Sequence, residues 1–584
     1  MAVTTATGPL AAIHKEQSDL RFTQRELDGA RILCESLLAE GVEVIFGYPG
    51  GVLLPLYHVF SEYPELRHIL VRHEQCAAHA ADGYARATGR VGVCLGTSGP
   101  GATNLVTGIA TAHMDSAPVV ALTGQVARSF IGRDSFQETD ITGITLPITK
   151  HNWLVMETSD VAITIKKAFY LARTGRPGPV LVDIPKDVFL NKTQYNGYPT
   201  EVKMRGYNPT VFGHVRQIKQ AAKLINEAQR PVILAGHGVT VAQAYQELME
   251  LAENADIPVI NTLQGLSSFP TAHPLSLGMP GMHGGIHANH AINDCDVLVA
   301  IGMRFDDRVT GNLKTFAQNC KVIHIDIDPA EIGKNVPATV PIVGDVKHVL
   351  QVLNKHVTKN QHTEWLAQIA QWRIKDNQRR ANEADRLGKL PPQFICQTMG
   401  EVLGGDAIIT VDVGQHQMWV AQHFNFQRAN SFISSGGLGT MGFGFPAAIG
   451  AKMAFPDRPV WTVTGDGGFQ MTMQELATCV QDNINVKIAV FNNGVLGMIR
   501  QWQQVFYDSR YHSTPITGPD FVKLADAFGV RAWRVTERED VARVIKEAND
   551  WNGPALVEFI IPDADNVWPM VPPGGSNMDA ITEA

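Results

Sequence analysis

The chain has 584 residues, 45% of them apolar, and a formal net charge of −8 with no block of basic residues. That length is too great for one hydrophobic core and predicts several domains, while the acidic balance argues against a nucleic-acid partner. No apolar run approaches membrane-spanning length, and the seven cysteines are scattered without a Cys-x-x-Cys pair, which predicts neither a zinc site nor a disulfide framework.

Residues 1–20 carry Glu16 and Asp19 but no arginine and no apolar signal core, so they read as a flexible tail on a cytoplasmic protein. From 21 to 190, helical and strand patterns alternate: a helix over 28–40 and strands over 44–46, 68–72, 92–94, 119–122 and 179–185. This is the pattern of a doubly wound α/β domain with a parallel sheet. Residues 191–210 read as a polar linker with Pro and Gly. A second α/β unit spans 211–356, with a helix ending near 228, a strand over 231–235, the turn Gly236-His237-Gly238, and strands over 297–301 and 322–327. Residues 357–390 are charged and helical in pattern, and are expected as a surface connector. The third α/β unit spans 391–562.

The chemistry concentrates in the third unit. A buried strand ends at Gly465-Asp466-Gly467, Met473, Leu476, Ala477 and Val480 then recur at helical spacing, and the next strand ends at Asn492-Asn493. Both polar signals therefore fall at the carboxyl ends of parallel strands, where α/β sheets bind ligands. Gly-Asp-Gly alone is usually a turn. Asp466 offers a hard anionic oxygen and Asn493 a neutral one, 27 positions apart (466 to 493). That donor set suits Mg²⁺ on a phosphate better than a transition metal.

The pair resembles the thiamine diphosphate fingerprint, in which the Asp, the second Asn and a main-chain carbonyl, here that of Val495, hold Mg²⁺ on the diphosphate. The resemblance implies further roles. Glu74, at the end of a strand and the start of an Ala-rich helix, is similar to the carboxylate that bonds the cofactor's aminopyrimidine and assists removal of the C2 proton. Its plain alternative is a carboxylate favoured by the helix dipole. Tyr48-Pro49-Gly50-Gly51 and Gly96 to Asn104 are similar to the pyrimidine-side loops. Gln415 and His416 would approach the diphosphate, Gly465 and Gly467 would let main-chain N–H groups near it, and Gly439 and Met441 would support the aminopyrimidine. In this family the two halves of the site come from different subunits, so a homodimer at least is implied, with Glu74 of one chain facing Asp466 of the other.

The middle unit narrows the family. Gly302-Met303-Arg304-Phe305-Asp306-Asp307-Arg308-Val309-Thr310-Gly311, His324-Ile325-Asp326-Ile327-Asp328, Gly281-Met282-His283-Gly284, and Gln125-Val126 through Ser135-Phe136-Gln137-Glu138 resemble the acetohydroxyacid synthase (acetolactate synthase) family, and the likeness extends from about 21 to 584. It implies three doubly wound parallel-sheet domains, binding the pyrimidine, FAD and the diphosphate, and a C-terminal lid over 563–584. It also implies the activity: decarboxylation of pyruvate on thiamine diphosphate and condensation with a second pyruvate, or with 2-oxobutyrate, at the entry to branched-chain amino-acid synthesis.

FAD would be structural, lined by Arg176, Gly236, Gly238, Met282, His283, Gly302, Arg304, Asp306, Asp326, Ile327, Gly344 and Asp345. Phe136, Gln137, Lys186, Arg308, Met498 and Trp502 would surround the substrate channel, with Arg308 anchoring the second carboxylate and Trp502 shaping the acceptor pocket. Ala127, Ser129 and Pro573 depart from common family residues and bear on inhibitor response. A flavin-dependent pyruvate oxidase is the alternative activity. A tetramer and a small regulatory subunit fit the family, while acceptor preference is left open.

Overall fold

A computed structural model describes residues 25–384 and 389–583. The expected tail over 1–20 lies outside the described residues. The described residues divide into two compact units, one formed by those up to 208 without 86–89, the other by 86–89 and those from 209 onward.

The first unit is a six-stranded sheet in the spatial order Arg67–Leu70, Val44–Gly47, Gly92–Gly96, Val119–Gln125, Val180–Pro185, His151–Leu154, with every pairing parallel. The central strands are buried along their whole length, as parallel strands covered on both faces must be. Asp28 starts the first helix, Gly29–Ala39, by accepting from Arg31 N at 2.9 Å, and Ile32, Leu33, Ser36 and Leu37 form its buried face. The order of winding reverses between Val44–Gly47 and Gly92–Gly96, which opens a crevice at their carboxyl ends.

The stretch expected as a linker departs from that reading. Lys192–Tyr195 is a strand paired antiparallel with Arg25–Asp28, and Tyr195, Tyr198, Met204 and Tyr207 join the first core. Its tyrosines supply enough apolar surface to dock a segment that is polar on average.

In the second unit, a five-stranded parallel sheet runs Val259–Asn261, Pro231–Ala235, Val297–Ile301, Lys321–Asp326, Val340–Val343. A six-stranded parallel sheet runs Phe432–Ser434, Ile408–Val411, Val460–Gly465, Lys487–Asn492, Ala555–Ile560, Arg531–Val535. Counted along the chain, this winding is the one seen in the first unit: second, first, third, fourth, sixth, fifth. The reversal here lies between Ile408–Val411 and Val460–Gly465.

Two further expectations change. The helix Thr363–Ala384 is not a surface connector: Trp365 and Ile369 are buried in the core of the five-stranded sheet, Trp372 packs beside them, and Trp365 Nε1 donates to Pro231 O at 3.1 Å. A stripe of three large residues is narrow enough to hide in a charged sequence. After Asp466–Gln470 the chain breaks, then resumes as a turn of 3-10 helix, Met473–Glu475, and the helix Leu476–Gln481. The break resets the buried face to Leu476, Thr478 and Cys479, and leaves Val480 41% exposed.

Candidate active site

In the first unit, the crevice gathers the residues expected on the pyrimidine side around Glu74. Glu74 opens the helix Glu74–Thr88 and is buried, and its Oε2 accepts from Asn104 Nδ2 at 2.9 Å. A Cβ on Gly101 would stand 3.1 Å from Glu74 Oε1, and one on Gly50 would collide with the Thr97 side chain at 2.3 Å. Glycine at these positions is what lets the loops after the two crevice strands close on the carboxylate. Gly51 has open space in place of a side chain. The Thr97 and Ser98 hydroxyls are buried without a hydrogen-bond partner. Polar groups in that state call for a ligand or water.

The same sheet end carries the expected channel residues. Gln125 ends its strand and donates to Asp183 Oδ2 at 2.9 Å and to Thr139 O at 2.8 Å, which ties the loop bearing Phe136 and Gln137 to the sheet. Gln137 has φ +61° and packs on Gly99, whereas Phe136 is 88% exposed. Lys186 is half-buried at the start of the helix that follows Val180–Pro185. Arg176 lies before that strand, its Nε donating to Ser116 Oγ at 2.8 Å.

In the second unit, the crevice beside Val460–Gly465 holds the residues expected on the diphosphate side. Asp466 Oδ1 accepts from Gly467 N at 2.9 Å and Oδ2 from Gly494 N at 2.8 Å, while Asn493 Oδ1 accepts from Val495 N at 3.2 Å. Burial, aided by the charge of Glu558, pushes Asp466 up to about 6 despite those N–H groups. A carboxylate in that state has lone pairs to spare and gains from a cation. A Cβ on Gly467 would meet Leu496 at 2.9 Å, Ile516 at 3.2 Å and Met441 Cε at 3.6 Å, which sets Met441 beside the Gly-Asp-Gly turn.

Gln415 and His416, which follow Ile408–Val411, face the same turn. Gln415 Nε2 donates to Gln501 Oε1 and to Asp565 O, both at 3.0 Å, and its Oε1 is buried without a partner. His416 bonds the Asp412 carbonyl, burial lowers its ring to about 3, and its Nε2 has no partner. A Cβ on Gly465 would lie 3.1 Å from this ring. A Cβ on Gly439, which has φ +70°, would meet nothing nearer than Val413 Cγ1 at 4.0 Å. These orphaned atoms and open glycines fit a phosphorylated cofactor with a hard cation, for which Asp466, Asn493 and the Val495 carbonyl are the candidate donors.

Sequence reasoning missed two supports, Asp412 and Gln501, and named Asn104 only as the end of a loop. Asp412 ties the crevice together, accepting from Val413 N and Gly442 N at 2.8 Å and from Thr464 Oγ1 at 3.0 Å, and burial pushes it up to about 6. Gln501 and Asn104 complete the contacts of Gln415 and Glu74. An acid directly after an apolar strand was the one readable signal among them, at Asp412.

Met498 and Trp502 lie on the helix Gly497–Phe506, Met498 against the core and Trp502 edge-on to Phe506 at 5.6 Å. Arg308 sits on an exposed turn, Nη1 3.5 Å from Met282 Sδ and Nε 3.9 Å from Asp307 Oδ2. The C-terminal segment runs over both regions. Val571 N donates to Met282 O at 2.9 Å, Asn577 Nδ2 to Val309 O at 2.8 Å, and His283 Nδ1 is 3.2 Å from Pro569 O.

Apart from Arg176, which lies in the first unit, the residues expected around FAD fall in the second unit with the five-stranded sheet, but their glycines serve the chain itself. Cβ atoms on Gly236 and Gly238 would strike Gly302 at 2.3 and 2.6 Å. Arg304 faces Asp306 at 3.9 Å, Asp306 caps the Arg308 turn, Asp326 accepts from Asp328 N, Gly344 N donates to Asp326 O, and Asp345 caps the helix Val346–Leu353. Ile327 follows directly on Asp326. No orphaned group at these positions demands a flavin, whose assignment rests on the family resemblance.

Two crevices, one built around a buried glutamate and one around an acid-amide oxygen set, define a thiamine diphosphate enzyme. The family models "Thiamine pyrophosphate enzyme, N-terminal TPP binding domain", "central domain" and "C-terminal TPP binding domain" match residues 27–144, 218–353 and 412–559. The chain is 50% identical over 566 residues to acetolactate synthase of Mycobacterium bovis, covering 95% of this chain and 91% of that protein. It is 49% identical over 580 residues to the probable acetolactate synthase large subunit of Methanococcus aeolicus (95% and 96% covered), and 47% identical over 568 residues to the large subunit of Cyanidium caldarium (95% and 96%). The chain belongs to the acetolactate synthase large-subunit family. Among the described residues no helix is long and apolar enough to cross a membrane.

Proposed function

We propose that the protein joins two pyruvates into 2-acetolactate with loss of one CO2, or pyruvate and 2-oxobutyrate into 2-aceto-2-hydroxybutyrate, using thiamine diphosphate, Mg²⁺ and a structural FAD. The observation that carries this reading is the pair of crevices with matching winding, one around Glu74 and one around Asp466, in a chain about half identical to acetolactate synthases. Bound thiamine diphosphate supplies the carbon nucleophile and the electron sink for decarboxylation.

The chain's own residues do the rest. Glu74 holds a proton at a carboxylate oxygen shielded from water, with Asn104 fixing its orientation. Asp466, Asn493 and the Val495 carbonyl hold the cation, and Gln415 and His416 bind phosphate oxygens. Arg308 binds the carboxylate of the second 2-oxo acid in a fork, and Met498, Trp502, Phe136, Gln137 and Lys186 bound the acceptor. The working form is a homodimer at least, pairing Glu74 of one chain with Asp466 of another, in the cytoplasm, and a small regulatory subunit attaches to it.

The test is product analysis with pyruvate, Mg²⁺ and thiamine diphosphate, with and without FAD and without added electron acceptors. Acetolactate formed only with FAD, without acetate or peroxide, supports the reading. Acetate with reduction of the flavin makes the protein an oxidase and overturns it.

A further inference from the structure

Glu558 lies on the strand Ala555–Ile560 with 1% of its surface exposed and is used by none of the steps above. Its strand lies between Lys487–Asn492 and Arg531–Val535, and at that burial the carboxylate needs partners within the protein. It has two. Arg534 Nε, from the strand on one side, donates to Oε2 at 2.7 Å, and Asn492 Nδ2, from the strand on the other, donates to Oε1 at 2.7 Å. Arg534 also donates through Nη2 to Asp520 Oδ1 at 2.7 Å, nearer the surface.

An ionised carboxylate only accepts, so Glu558 settles which way the Asn492 amide faces. Its nitrogen points at Glu558 and its oxygen points back at the turn, where Oδ1 accepts from Gly494 N at 3.2 Å. That same N–H reaches Asp466 Oδ2 at 2.8 Å. Gly494 stands between Asn493 and Val495, the other two oxygen donors, and has φ +68°. A line of contacts thus runs from Asp520 through Arg534, Glu558 and Asn492 to the turn that faces Asp466.

We propose that Glu558 and Arg534 are positioning residues for the divalent-cation site: they lock the Asn492 amide, which holds the Gly494 N–H between two acceptors and so presents Asn493 Oδ1 and the Val495 carbonyl toward Asp466. The proposal rests on the reading of those three residues as the cation's donors. Groups that orient ligands from behind typically change metal affinity by about 10- to 100-fold when removed.

Glu558→Gln keeps the shape, but its amide can face only one of the two donors with an oxygen. Arg534→Met removes the outer partner at a half-exposed position and serves as the second variant. In the full-length protein, thiamine diphosphate binding is followed by quenching of tryptophan fluorescence as Mg²⁺ is titrated. Thermal midpoints without cofactor, and kcat at saturating Mg²⁺, are measured alongside. The expected result is a rise of about tenfold or more in half-saturating Mg²⁺ for Glu558→Gln, a smaller rise for Arg534→Met, and kcat at saturation within about twofold of the parent. An unchanged half-saturation in both variants overturns the proposal, as does a fall in kcat that Mg²⁺ does not restore. If the parent protein binds thiamine diphosphate equally well without Mg²⁺, the donor reading fails first, and the proposal with it.

Discussion

Gln501 grips the main chain of Val567 at both of its polar groups: Oε1 accepts from Val567 N and Nε2 donates to Val567 O, each at 2.9 Å. The same Oε1 accepts from Gln415 Nε2, so one fully buried amide joins the C-terminal segment, the helix carrying Met498 and Trp502, and Gln415. Gln501→Leu keeps the volume and strips these bonds, with the contact from Nε2 to Met570 Sδ at 3.5 Å. The variant is expected to be cut by protease after 563 faster than the parent and to bind thiamine diphosphate more weakly, while its core thermal midpoint falls by only a few degrees. Limited proteolysis with mass analysis, set beside calorimetry, checks this.

Glu74→Gln keeps the bond to Asn104 through its remaining oxygen but cannot take up a proton. Turnover is expected to fall by about 10²- to 10⁴-fold, with thiamine diphosphate affinity changed little. Steady-state kinetics and a binding titration on the same preparation separate the two effects.

His416→Ala removes a buried nitrogen that has no partner within the protein. A hydrogen bond to a charged group contributes about 1.5–3 kcal/mol, so the affinity for thiamine diphosphate is expected to fall by about 10- to 100-fold, beside a loss of fold stability from the vacated buried ring and its bond to the Asp412 carbonyl. Equilibrium binding and thermal melting of the cofactor-free protein test both halves.

Gly281 has φ +88°, and a Cβ there would sit 1.9 Å from Arg308 O. Main-chain atoms cannot yield as a side-chain tip can. Gly281→Ala is therefore expected to cost about 1–3 kcal/mol and to displace Arg308, raising KM for the second 2-oxo acid. Denaturant melts and substrate titrations measure the two outcomes.

Asp183 is buried between Thr123 and Gln125, and burial pushes it up to about 7 against bonds from both neighbours. Its folded value lies above the ordinary 3.8, so its contribution to stability is complete below that pH and is lost as pH rises toward 7. Asp183→Asn imitates the protonated form, since the Thr123 hydroxyl can accept as well as donate. The variant is expected to match the parent at pH 4 and to become the more stable of the two as pH rises to 7, with the gap constant above that. Thermal midpoints across this range check the sign.

Much of this was legible in the sequence because strand ends in parallel sheets advertise themselves. The apolar runs before Gly465 and Asn492 marked where Asp466 and Asn493 would stand, and the structure brings them to one crevice. The strands Pro231–Ala235 and Val297–Ile301 fall where their apolar patterns put them. What could not be read was side-chain company. Nothing local says that Trp365 will reach across to Pro231, that Tyr195 will dock the strand after the first domain, or that Gly236 and Gly238 are small for the sake of Gly302. Those depend on residues tens to over a hundred positions away. Asp412 was visible as a residue but not as the knot of three loops, because its partners Gly442 and Thr464 come from two later elements.

The sheet around Glu74 and the sheet around Asp466 are wound alike, yet each is built from its own stretch of chain and packs its own core. Each therefore folds from its own set of apolar residues and keeps its own crevice. A substitution that spoils one crevice leaves the backbone of the other intact, so a damaged chain can still carry a sound half. In a mixed population, chains defective in different halves are expected to restore one another's activity when paired, and two chains defective in the same half are not.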